Sequence, residues 1–245
     1  MVRKVMLCVM VLLLASTSAW AAFPGFGKSE PAQAAADLIP IGEMTSEYDG
    51  VLKDYWANVS NPYAKSYAFA LEAFGMKGDA EKLLAEMNQL GSGVTAEGIE
   101  KSTTTFGPAA AAITDKIKSA EKLTDEGKTN LLKSMGYMAG VGDIMEKVEK
   151  KEVPAGGVQL QGIPGQINHI VKLKELGQKA AESAKKASPL EAPKYVSLAN
   201  GIAKLTEVIV ADAETAKNTL TTYVDYAKSQ KIDVPPDVTK AFEVK

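Results

Sequence analysis

Apolar residues recur along this chain at spacings of three and four, and strand-like alternation never replaces that pattern for long. A period of 3.6 residues gathers such positions on one face, so the pattern predicts amphipathic helices throughout. Tyr48, Leu52, Tyr55 and Val59 make one such face. Tyr63, Tyr67, Leu71 and Phe74 make the next, after an expected interruption at Asn61-Pro62, since proline is tolerated in a first helical turn but not in an interior. Gly75 and Gly78 close that stretch. Asp79 is then placed to cap a short helix that stops at Gly91-Ser92-Gly93.

Thr95 opens a longer helix, with Glu97 in its first turn, that runs to about Leu123 and is expected to kink near Gly107-Pro108. Thr124 or Asp125 caps a partner helix reaching Lys151. Val153 to Gly165 reads as a Gly- and Pro-rich loop, and Pro164 starts another helix through Ala187. The final helix has the clearest signal. Leu198, Ile202, Leu205, Ile209, Asp212, Ala216, Leu220, Tyr223 and Ala227 step by fours and threes, a heptad-like seam carrying one carboxylate. From Lys194 to Lys231 the helix extends about 57 Å at 1.5 Å per residue. A rod of that length needs partners of similar length. The predicted fold is therefore all-α, an elongated bundle of antiparallel helical hairpins with about six helices and a long C-terminal one. The seam closes either within the chain or in a homo-oligomer. A lone carboxylate on it is costly unless paired, which predicts for Asp212 a lysine partner, a rim position or a local break in packing.

The ends of the chain set its location. The first residues, MVRKVMLCVMVLLLASTSAWA, place Arg3 and Lys4 before an apolar run and a small-residue site at Ala19-Trp20-Ala21. That layout is a secretory signal peptide, residues 1–21, and the run is too short to span a bilayer. Residues 22–36 read as a flexible leader, 37–232 as the bundle domain and 233–245 as a tail after Val234-Pro235-Pro236. Cleavage after Ala21 removes the one Cys and the one Arg, and shifts the formal net charge from −2 to −4. An exported chain without cysteine has no disulfides to rely on, which favours a bacterial periplasm. An acidic, arginine-free surface argues against nucleic acid, and no later segment is long and apolar enough for a permanent transmembrane span.

The catalytic inventory is thin. His169 is the single histidine, so no zinc site or helical metal-carboxylate site can be assembled, and no cofactor is expected. No G-x-S-x-G elbow accompanies it, and it reads as a surface or boundary residue. The chain is not expected to be an enzyme.

Three glycines interrupt the helical stretch Ser134–Met145, at 136, 140 and 142. A phosphate loop would need a preceding strand and a third glycine in register, and both are missing. Gly136 and Gly140 share a helix face and each costs on the order of 1 kcal/mol against alanine, an expense that close helix approach normally offsets. With a turn near Leu123-Thr124 they would meet Ala109 and Ala110 in a packed hairpin. The stretches 102–114 and 134–142 carry no charge, so the 102–142 hairpin is alternatively a membrane-inserting element. A second candidate surface is aromatic. Tyr48, Tyr55, Trp56, Tyr63 and Tyr67 cluster early in the chain, where apolar bodies with polar tips suit a groove for a peptide, lipid or glycan. These features predict an exported, non-catalytic helical binding or scaffold protein of the periplasm whose partner is an unknown protein, peptide or lipid. A membrane-active protein is the alternative.

Overall fold

The computed structural model describes residues 38–119, 122–142 and 161–240, and the described residues from Leu38 onward form one compact unit. Among them there are helices and no strands, as the periodicity predicts. The expected signal peptide, the leader and residues 143–160, where the fifth helix was to reach Lys151, lie outside the described residues.

The elements are α1 (Ile41–Tyr55), α2 (Asn61–Ala73), α3 (Lys77–Gly91), α4 (Ala96–Lys118), α5 (Asp125–Ala139), α6 (Gly162–Lys186), α7 (Ala192–Ser229) and α8 (Pro236–Lys240). Asn61-Pro62 does not interrupt the first rod. A π-helical turn, Trp56–Ser60, joins α1 directly to α2. Pro62 has no amide to offer the carbonyl four residues back, and the widened turn just before it accommodates the loss. The turn also changes which residues face the core. Eight residues of regular helix would leave Tyr55 and Tyr63 about 80° apart, and one inserted residue sets the rotation back by about 100°, so the two align. Both are 1% exposed.

The sequence caps hold at Thr95 and Thr124, whose hydroxyls accept from the amides of Gly98 and Gly127 at 3.0 Å each. Asp79 is not a cap. Helix α3 begins two residues earlier, after Met76, and Asp79 sits in its first turn. Pro108 lies inside α4 without ending it, and α4 stops at Lys118, short of the expected Leu123.

Helices α6 and α7 form the main antiparallel hairpin, joined by a tight turn in which the amides of Glu191 and Ala192 bond the Ser188 carbonyl. The seam of α7 closes within the chain: Ile202, Leu205, Ile209, Ala216, Leu220, Tyr223 and Ala227 are buried in the core. The α1–α2 rod runs antiparallel to α6, tied outside by Lys179–Glu47 at 3.1 Å and Lys172–Asp54 at 3.8 Å. The segment after α7 is not a free tail. Helix α8 buries Val238 completely, against α5.

The expected hairpin of α4 with α5 is replaced by a different pairing. Helix α5 lies on α2, where Ser66 Oγ donates to the Ser134 carbonyl at 2.8 Å. The close helix approach predicted from glycines does occur, but at Gly127, whose missing Cβ would lie 2.7 Å from the Ala73 carbonyl oxygen. Gly136 is buried inside α5. Gly140 ends the helix: with φ 82° it is left-handed, its amide bonds the Tyr137 carbonyl at 3.2 Å, and Val141 N bonds the Gly136 carbonyl at 2.9 Å. Those two bonds define a Schellman cap. Ala109 and Ala110 are half-buried on α4 and pack against the core rather than against these glycines.

Candidate functional site

Of the five aromatics expected to line a groove, most face inward. Tyr55, Tyr63 and Tyr67 are interior, Tyr48 is 9% exposed, and Trp56 is half-buried beside Gly91. Tyr67 stacks on Phe106 at 5.1 Å between ring centroids, and Tyr63 meets the same ring edge-on at 6.2 Å. Phe106, Ile113, Leu131, Met135 and Met138 are likewise buried, so the apolar faces of the 102–142 region belong to the core. No described helix is long and apolar enough to cross a membrane.

The hydroxyls of Tyr55 and Tyr63 converge on one amide, that of Gln166, which is fully buried on α6. Tyr63 Oη donates to Gln166 Oε1 at 2.6 Å. On the other side, Gln166 Nε2 faces three acceptors: Tyr55 Oη at 3.1 Å, the Ile209 carbonyl at 3.2 Å and Asp212 Oδ2 at 2.7 Å. A carbonyl and an ionised carboxylate only accept, so the amide nitrogen must point toward α7. Asp212, the one charge on the α7 seam, thus takes a half-buried rim position with an amide as its partner. Burial raises its carboxyl to about 6, and the Gln166 hydrogen bond opposes that rise. Gln166 could not be picked out from the sequence, because a single polar residue on an amphipathic helix is indistinguishable from its solvent-facing neighbours.

His169 lies one turn further along α6 and is buried, at 2% exposed, not at the boundary where the sequence placed it. Its Nδ1 is 2.7 Å from the Gly165 carbonyl, which only accepts, so Nδ1 carries the proton and Nε2 is the unprotonated nitrogen. Burial lowers its pKa, with the Gly165 bond acting against the shift. The ring packs edge-on against Tyr55 at 5.6 Å. A neutral imidazole with one nitrogen held by the backbone packs the core. Among the described residues no group of His, Cys, Asp and Glu is arranged to hold a metal.

The open site lies elsewhere. A groove of about 640 Å³ runs along α1, the start of α4 and the start of α7, lined by Ile41, Thr45, Tyr48 and Ala96 on one side and by Pro193, Lys194, Ser197, Leu198 and Gly201 on the other. The groove is shallow and open to solvent rather than an enclosed cavity. Ile41, Thr45 and Tyr48 share one face of α1, spaced four and three apart, and Ser197 and Gly201 share one face of α7. Of the predicted aromatics, Tyr48 alone lines the groove, and its hydroxyl is buried without a hydrogen-bond partner. The chain matches no protein family, no characterised protein and no solved structure.

Proposed function

We propose that the mature chain is an exported, non-catalytic α-helical binding protein of the periplasm, in which the bundle is a rigid scaffold and the α1–α4–α7 groove is the binding face. The groove is the observation that carries this reading. It combines apolar walls from Ile41, Ala96, Pro193 and Leu198 with hydroxyls from Thr45 and Ser197, a lining suited to holding a ligand rather than transforming one. The signal-peptide-like pattern read in residues 1–21 supports the location, and a neutral, core-packed His169 supports a non-catalytic role.

The test is affinity capture from the native periplasm with the tagged mature protein and with its Gly201→Leu variant. Gly201 is exposed and has open space where a side chain would begin, so leucine there fills the groove without disturbing the core. A ligand or partner retained by wild type and lost from Gly201→Leu is the expected result. Equal retention by both, or turnover of a substrate by the purified chain, contradicts the proposal.

A further inference from the structure

Large apolar side chains are left in solvent mainly at one end of the bundle. Among the described residues the exposed large hydrophobics are Leu190, Val196 and Val171. Leu190, 84% exposed, and Val196, 44% exposed, flank the tip where α6 turns into α7, while Val171 lies about 22 Å back along α6. Pro189 and Pro193 are exposed beside them. Tyr195 Oη donates to the Ile39 carbonyl at 2.7 Å, which brings exposed Pro40 to the same end. Single exposed apolar residues are ordinary on a protein surface, but a cluster of them marks a contact.

The charge around this tip is opposite in sign to that of the whole protein. Between Ser183 and Asn200 there are three lysines, Lys185, Lys186 and Lys194, and one acid, Glu191, although the chain is net negative. All three lysines are exposed, and among the described residues none is held in an ion pair. Glu191 is half-buried and accepts from Ser188 Oγ at 3.4 Å. Glu182 stands one turn further from the tip, and Glu43 falls on the face of α1 opposite Ile41 and Thr45, away from α7. Cations at the close of α6 offset its dipole, but Lys194 stands at the start of α7, where the dipole opposes it. Helix electrostatics therefore leaves Lys194 unexplained, and it explains neither Leu190 nor Val196.

A few side chains on a turn present less than the roughly 800 Å² per partner of a stable protein interface. They suffice at a bilayer, where apolar side chains enter the boundary below the headgroups and lysines stay with the phosphates. We infer that the α6–α7 tip docks the protein on an anionic membrane surface, with Leu190 and Val196 inserted and Lys185, Lys186 and Lys194 against lipid phosphates. This docking goes beyond the groove reading and does not depend on it.

Flotation of the mature protein with vesicles of phosphatidylcholine alone, or of phosphatidylcholine and phosphatidylglycerol in equal parts, tests it. Binding to the mixed vesicles at least tenfold stronger than to the neutral ones is expected, and it should weaken as salt is raised. The mature protein has no cysteine, so an environment-sensitive fluorophore on Leu190→Cys reports on the tip alone. Its emission should shift to the blue on mixed vesicles, and that of the same label on Val171→Cys should not move. Leu190→Ser should weaken binding several-fold. Lys185→Gln, Lys186→Gln and Lys194→Gln together should remove the preference for anionic vesicles. These positions are exposed, so the melting temperature of each variant should match wild type. Gly201→Leu should float as wild type does, which separates docking from occupancy of the groove. No binding to mixed vesicles, equal binding to both kinds, equal shifts at 190 and 171, or undiminished binding by Leu190→Ser overturns the inference.

Discussion

Gln166 on α6 donates a 2.7 Å hydrogen bond to the Asp212 carboxylate on α7, and through the same amide it holds the hydroxyls of Tyr55 and Tyr63 from the first rod. One side chain therefore ties three packed elements at the centre of the bundle. Such a network is stabilising when every member is satisfied and costly when one is removed.

The amide's two ends predict different mutational costs. Gln166→Leu strands the Tyr63 hydroxyl and removes the donor from Asp212, and should lower stability by about 2–4 kcal/mol. Asp212→Leu removes one of three acceptors and leaves Nε2 with Tyr55 and the Ile209 carbonyl, so its effect should stay within about 1 kcal/mol. Urea melts of the two variants check the order. Equal losses would mean that the carboxylate, not the amide, is the centre of the network.

Stability should also respond to pH through Asp212. Its carboxyl titrates at about 6 in the folded chain against an ordinary 3.8, so the folded state holds the proton more tightly. The folded state is then favoured at low pH, and that advantage is lost as pH rises from about 4 through about 6. A two-unit shift corresponds to about 3 kcal/mol, reduced to about 2 for a half-buried group. His169 acts in the opposite direction, because its depressed pKa weakens the fold as pH falls below its ordinary 6.5. The comparison that isolates Asp212 is wild type against Asp212→Asn. The variant should gain up to about 2 kcal/mol over wild type between pH 4 and 7, and no gain would refute the burial argument.

The two kinds of glycine predict opposite signs. Gly140 is left-handed, and a Cβ there would strike the Gln161 carbonyl, so Gly140→Ala should cost more than about 2 kcal/mol. Gly50, exposed on α1 with open space around it, should stabilise when changed to alanine, by up to about 1 kcal/mol. Thermal melts of the pair read the difference by sign.

What was legible in the sequence was what periodicity and local chemistry control. The seam from Leu198 to Ala227 gave α7 within two residues at each end, and the Thr95 and Thr124 hydroxyls located two helix starts, because caps act over three residues. Pairing was not legible. Helices α4 and α5 are adjacent in sequence and a short turn suggested a hairpin, but small residues on α2 and Gly127 on α5 allow a closer contact, and that contact prevailed. The same limit hid the site. The tyrosine spacing marked a cluster, but which hydroxyls meet depends on the π turn at Trp56–Ser60 and on a glutamine about a hundred residues away. The groove arises from three helix starts far apart in the chain, and no window of sequence contains it.

Export is open to a simple check. If residues 1–21 are a signal peptide, the protein recovered from the periplasm begins at Ala22. A mass showing an intact Met1, or a lipid on Cys8, would remove the localisation from the account.

Site-specific photo-crosslinking in the native host tests the central claim most directly. A benzoylphenylalanine probe replaces Ser197, exposed on the α7 wall of the groove, and in a separate strain Val171, exposed on α6 and outside the groove lining. The account predicts a discrete adduct from the Ser197 probe, of one mass, that disappears when Gly201→Leu is added, and none from the Val171 probe. Equal adducts from both positions, or none from Ser197 in a folded and exported protein, would contradict it.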